Sequence, residues 1–323
     1  MTLTQDRARG CLLGLAAGDA LGAPAENMEP AEIAARWGRL TEIEGGGTDD
    51  TEYAIFAASL LVRHGHELTS ADVAAAYRRE IIPSVLGPMR GAGFSELGTV
   101  QALRRGLEPP LTGKVHAHGW SDGLAMRAAP YGVFCPGDPA EAARLVEQDG
   151  LVSADGEGIN GGMAVAAAVA VAMTGATAEE AVEAGLAAIP ADSWTARAVT
   201  RARPLRDSPE RLHEAVVMRH YPWTDLAPEA VALAFAAYLH GDGEVEESVT
   251  YAVSLGRDAD TIGAIAGALA GAGRGEGGVP GRWAERVGPA TGTCLPVVAG
   301  RHVLDVADEL ARGPAEDEWA RGL

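Results

Sequence analysis

Residues 256 to 273 read GRDADTIGAIAGALAGAG, and every position after Thr261 is glycine, alanine, isoleucine or leucine. This run constrains the fold more than any other feature. A helix with such a face admits a second helix at close range, which buries the start of the run together with Asp258 and Asp260. Its apolar part, Ile262 to Ala272, is about a dozen residues long, as is Met163 to Met173. Both are too short to span a bilayer and read as buried helices.

The rest of the chain follows the same pattern. Only 5% of the 323 residues are aromatic, while 47% are hydrophobic. That favours closely packed small-residue helices with an ample core over a β-sandwich. Helical periodicity predicts, among other segments, Gln5–Ala17, Thr51–His64, Leu97–Gly106, Asp122–Tyr131, Gly161–Met173, Ser208–Arg219, Thr261–Ala272 and Leu295–Arg312. No β-branched and aromatic run reaches strand length. The stretch from Ile82 to Gly119 is long and rich in Gly and Pro, and loops that long inside a compact domain are usually functional or partly ordered. With no linker to divide it, the chain is expected to be all-α, one compact multi-helix domain over residues 1–323.

Two helix starts carry unusual chemistry. GGGTDDTEYAI, residues 45 to 55, sets Thr48, Asp49, Asp50 and Glu52 before an apolar run, and Asp258, Asp260 and Thr261 open the downstream run. Capping is one reading: Thr48 or Asp49 can accept an orphan N–H, and acids suit the positive end of a helix dipole. A hard-metal site is the other, because hydroxyl and carboxylate oxygens are what Mg²⁺ or Ca²⁺ takes. The idealised cost of burying a carboxylate is on the order of 20 kcal/mol before relaxation. Two such starts together therefore favour one oxygen-only cage for two hard cations.

Composition excludes some partners. The net charge of −19 repels a nucleic-acid backbone. Cys11, Cys135 and Cys294 show no CxxC spacing, which fits a reducing cytoplasm. The segment RARGCLLGLAAGDALGAPA loosely resembles an export signal, but Asp19 interrupts its short apolar core, so export is not expected.

Four motifs carry a family resemblance, in order: GCLLGLAAGDALGAPAE (10 to 26), TDDTE (48 to 52), SDGLAMRAAPYGVF (121 to 134) and GRDADTIGAIAGALAG (256 to 271). With them the chain resembles the ADP-ribosylglycohydrolases from about Arg7 to Ala311. The resemblance implies an all-α fold with two Mg²⁺ ions, Mn²⁺ being a possible substitute. By motif position Thr48, Asp49 and Asp50 look like one ligand set, and Asp258, Asp260 and Thr261 like the other. Glu26 falls on a mobile acid near the metals, and Asp19 on a buried, structural aspartate. Ser121, Asp122 and Gly123 fall on the loop that lines the ADP-ribose pocket, with Met126 and Arg127 behind it. The implied reaction is metal-assisted cleavage at the anomeric carbon of ribose, with Asp49, Asp50 or Glu26 handling the proton.

Three departures from the family pattern bear on the substrate: Asp122 in place of Asn, Ala154 in place of His, and Arg257 in place of Gly. Asp122 repels an anionic diphosphate, so an ADP-ribose substrate would have to be held by backbone N–H groups of a glycine-rich loop such as Asp155 to Gly162. Gly156 and Gly158 are then the substrate-contacting positions. His116 and His118 read as surface residues. The expected partner is an ADP-ribosylated protein or a small ribosyl compound. An N-riboside hydrolase and a silent crystallin-like binding protein are the competing readings.

Overall fold

The computed structural model describes residues 1–85 and 89–313. Among them no strand forms, and the one isolated β-bridge joins Ser121 to Leu226. The helices enclose one contiguous apolar cluster that runs from Ala8 to Leu310. None of the described helices is long and apolar enough to cross a membrane.

At the centre lie two antiparallel helices, Leu3–Gly22 and Ala259–Arg274. Their contact is built from glycine every fourth residue. Gly10, Gly14, Gly18 and Gly22 on the first helix face Gly271, Gly267, Gly263 and Ala259 on the second. A Cβ on any of those four glycines would fall inside the van der Waals surface of the opposite backbone. Backbone therefore lies on backbone, and only glycine permits it.

The first helix is longer than its periodicity predicts. It continues past Ala17 to Gly22, because Gly18 and Gly22, breakers by propensity, gain more from this contact than they cost. Asp19 thereby sits inside a buried helix, opposite the start of the Ala259–Arg274 helix. The segment that loosely resembles an export signal is this core helix.

Other boundaries move for local reasons. Asp122–Tyr131 divides into Gly123–Met126 and Ala129–Phe134, with Pro130 at the second position of the latter. The helix expected at Gly161 begins four residues earlier, as Glu157–Ala172. The helix expected over Ser208–Arg219 ends at Val216, which frees residues 217–225 to cross toward the first motifs. Leu295–Arg312 keeps only Val303–Arg312 as α-helix. Within the long Gly/Pro-rich stretch stands the helix Phe94–Arg104, begun three residues before its expected start.

Candidate active site

The Asp49–His64 and Ala259–Arg274 helices start side by side at the floor of a cavity of about 430 Å³. Thr48, Asp49, Asp50, Asp258, Asp260 and Thr261 all line it, with Glu26 at its solvent-exposed edge. Capping does not explain these residues. Neither Thr48 nor Asp258, each the residue before its helix, accepts an N–H of that helix through its side chain. Glu52 turns the other way. Its carboxylate accepts N–H groups of Gly292, Thr293, Cys294 and Leu295 at 2.6–3.0 Å and so anchors that loop.

Asp19, Asp50 and Asp260 bring carboxylate oxygens within 4.8 Å of one another. Their hydrogen bonding separates their roles. Asp19 accepts the N–H and hydroxyl of both Thr48 and Thr51, which fixes the start of the Asp49 helix. Its oxygens are occupied, so it positions the site. Asp50 Oδ1 and Asp260 Oδ1 are buried with no partner. Orphaned carboxylate oxygens within an all-oxygen donor set fit a hard divalent cation.

The electrostatics agree with that geometry. Burial, then the charge of Asp260, holds Asp49 and Asp50 well above the usual carboxylate range. Asp258 is raised by burial and then by Asp122. Asp260 is pushed up to about 7, by burial first and next by Glu26. In the absence of a cation these groups hold protons or repel one another.

The walls come from three further segments. Ser121, Asp122, Gly123 and Met126 line one side, as the motif order implies. Arg127 stands buried behind them and donates to Glu96, Asp149, Ser153 and the Gly123 carbonyl at 2.5–3.2 Å. Glu96 also lines the cavity, and reading the sequence missed it. At the start of the Phe94–Arg104 helix it looks like an ordinary first-turn acid, and only its convergence with Ser95 and Ser121 marks it (Ser121 Oγ to Ser95 Oγ 2.8 Å, Ser95 Oγ to Glu96 Oε2 2.6 Å). Residues Pro222 to Asp225 close the far side.

Several expectations are corrected. Gly156 and Gly158 are not among the cavity residues. Gly156 packs under Trp120 and Gly158 against the Gly119 carbonyl, while the Asp155 N–H is spent on Gly119 O at 2.8 Å. The glycine-rich stretch at the cavity is Gly91 to Gly93, whose Gly93 N–H reaches Asp49 Oδ2 at 3.1 Å. Ala154 is buried beside Gly113 and Gly158, away from the cavity, so its departure leaves the lining unchanged. His116 and His118 are half-buried, with His118 stacked on Phe94 at 4.7 Å between ring centres.

Arg257 gains a reason. In a left-handed conformation (φ 62°), it pairs with Glu229 at 2.5 Å and donates to the Trp223 carbonyl at 3.3 Å. Its backbone bonds Met28 and Asn27, and Asn27 accepts from Thr224 at 2.6 Å. One arginine thus ties the Asp258 turn, the Glu26 turn and the Trp223 loop together.

The family profile described as ADP-ribosylglycohydrolase matches residues 1–318. The chain belongs to the ADP-ribosylglycohydrolase family. It is accordingly a hydrolase by kind. Among similar proteins, an uncharacterized protein of Archaeoglobus fulgidus is 30% identical over 295 residues, 87% of this chain and 91% of that one. The ADP-ribosylarginine hydrolase Tri1 of Pseudomonas putida is 27% identical over 326 residues, 97% of this chain and 80% of its own. ADP-ribosylhydrolase ARH3 of Bos taurus is 28% identical over 330 residues, covering 86% and 88%. A solved ADP-ribosylglycohydrolase-related protein complex superposes with a TM-score of 0.70 at 27% identity, over 97% of this chain and 99% of that chain. For this ADP-ribosylglycohydrolase the all-α fold expected from sequence is thereby shown.

Proposed function

We propose that this ADP-ribosylglycohydrolase is a Mg²⁺-dependent enzyme that removes ADP-ribose from a modified protein side chain in the cytoplasm. The observation that carries the reading is the meeting of two uncapped acidic helix starts at one cavity floor. Relatives named for hydrolysis of ADP-ribosyl groups support the substrate class.

Thr48, Asp49 and Asp50 would hold one cation, and Asp258, Asp260 and Thr261 the other. Bound there, the metals would orient ribose hydroxyls and lower the pKa of a water. The negative field of the surrounding carboxylates favours the positive charge that develops on the ribose in an oxocarbenium-like transition state. Asp19 keeps Thr48 and the first turn of its helix in place. Of the three candidates for the proton, Glu26 is the exposed one and can exchange with water between turnovers. Asp49 and Asp50 lie deeper and serve as ligands.

Titration of the metal-free protein with Mn²⁺ should give two ions per chain by calorimetry, and no binding at millimolar metal would remove the cofactor from this reading. With Mg²⁺ present, ADP-ribosyl-arginine or ADP-ribosyl-serine should be turned over faster than free N-ribosides. One observation favours the N-riboside reading instead. The cavity is lined by Glu26, Asp49, Asp50 and Glu96, and also by Asp122, Asp225, Asp258 and Asp260, with no Lys, Arg or His among the described lining residues. If a dephosphorylated ribosyl analogue shows a higher kcat/KM than its ADP-ribosyl counterpart, that second reading replaces the first.

A further inference from the structure

Asp122 and Asp225 belong to neither proposed ligand set, yet the fold places them together. The Ser121–Leu226 bridge pairs their two segments, and the Asp122 N–H donates to the Asp225 carbonyl at 2.9 Å. Asp122 is only 3% exposed, and its Oδ2 has no hydrogen-bond partner. Asp225 Oδ1 is buried without one as well. Both residues line the cavity. A buried carboxylate oxygen without a donor is costly, and two neighbouring ones are costlier still. Burial and the charge of Asp225 accordingly raise the Asp122 carboxyl well above its ordinary range.

The lining next to this pair is aromatic. Trp223 and Phe94 both face the cavity and stay partly exposed at 38% and 49%. Phe94 lies stacked on His118, and Trp223 meets Phe94 edge-on at 6.2 Å and His118 at 5.0 Å between ring centres. A hard metal ion has no use for such a wall. A planar nitrogen cation uses both parts: its N–H fork matches carboxylate oxygens, and its face packs on aromatic rings. The overall charge points the same way. Cations at the two ligand sets and Arg127 at Glu96 leave Asp122 and Asp225 with no ion pair among the described residues, so a further cation there is favoured.

We infer that Asp122 and Asp225 form a recognition site for a guanidinium-type cation on the leaving group of the substrate. The inference rests on the hydrolase reading and names the acceptor it prefers, arginine over serine. Asp225 is a specificity residue here, acting on the group that departs.

The test has a binding arm and a turnover arm, both on the Mg²⁺-loaded full chain. By calorimetry agmatine should bind the native protein, and N-(4-aminobutyl)urea, which keeps the ammonium group and replaces only the guanidinium by a neutral urea, should bind at least about tenfold more weakly. Asp225→Asn and Asp122→Asn should each weaken agmatine by about tenfold or more, with melting temperature and Mn²⁺ stoichiometry checked for each variant. In the turnover arm, Asp225→Asn should lower the ratio of kcat/KM for ADP-ribosyl-arginine over ADP-ribosyl-serine by a similar factor. Equal binding of agmatine and N-(4-aminobutyl)urea overturns the inference in favour of a proton shared by the two carboxylates. So does agmatine binding that neither substitution weakens. Displacement of agmatine by Mn²⁺ beyond two ions per chain overturns it in favour of a metal site. Agmatine binding lost in Asp225→Asn, with no ADP-ribosyl substrate cleaved, would instead keep the cation site and sink the hydrolase reading.

Discussion

Replacing Asp260 with Asn is expected to abolish turnover and, in the same protein, to raise the melting temperature of the metal-free form. Activity falls because a ligand to the proposed cation is lost. Lewis-acid assistance contributes several kcal/mol, and each 1.4 kcal/mol or so is tenfold, so the loss is on the order of a hundred- to a thousand-fold. Stability rises because Asp260 lies buried near Asp19, Asp50 and Glu26 with one oxygen unpartnered. An amide in its place removes the charge and its repulsion.

The pH dependence carries the sign. An unfolded aspartate titrates near 3.9, whereas Asp260 titrates near 7 in the folded chain. Between those values the folded state holds a proton that the unfolded state has released, so this group lowers stability as pH rises through that window. Burial lowers the pKa values of half-buried His116 and buried His213, and these act in the opposite direction below about 6.5. The informative quantity is therefore the difference between native and Asp260→Asn. The native protein in EDTA should lose more melting temperature from pH 5 to pH 8 than the variant does, and Mg²⁺ should restore it. Parallel slopes, or a variant that melts lower than native at pH 8, would show that Asp260 is not held against repulsion.

Gly14→Ala is expected to destabilise the chain by about 3 kcal/mol or more, the upper end of overpacking costs. The new methyl group would overlap the Gly267 carbonyl, which is backbone and has no rotamer to change. The two central helices must then separate. Because Asp19 lies on one and Asp260 on the other, Mn²⁺ affinity should fall together with stability. Gly281→Ala is the control. It opens a short helix with free space around its Cβ position, so alanine there should be neutral or stabilising by up to about 1 kcal/mol. Similar melting temperatures for the two variants would mean that the central contact can relax, contrary to the geometry.

Much of the site was legible because its chemistry is local. A glycine turn, adjacent hydroxyl and carboxylate residues, and an apolar helix fix where Thr48–Asp50 and Asp258–Thr261 stand on their own elements. What failed was the assignment of the remaining walls, which depends on which segment faces which. Gly156 and Gly158 look like a phosphate-binding loop by composition, but the helix begins at Glu157 and turns them onto Trp120 and Gly119. Glu96 and Asp225 look like ordinary loop or first-turn acids. Only the packing of Arg127 behind one and the Ser121–Leu226 bridge beside the other brings them to the cavity.

Periodicity and the lack of strand patterning determined the helical class, and the two glycine- and acid-bearing motifs determined which residues could hold a cation. That those motifs share one cage was expected from the cost of burying their acids, but only tertiary structure sets how close the acids come, through glycine on glycine at the Leu3–Gly22 and Ala259–Arg274 contact. It also decided the roles of chemically identical side chains. Asp19, Asp50, Asp122 and Asp260 are all buried aspartates, and they differ only in the donors the fold supplies. Four donations occupy Asp19, and an oxygen of each of the others is left free, because hydrogen-bond partners come from segments far apart in the chain and no local pattern specifies them.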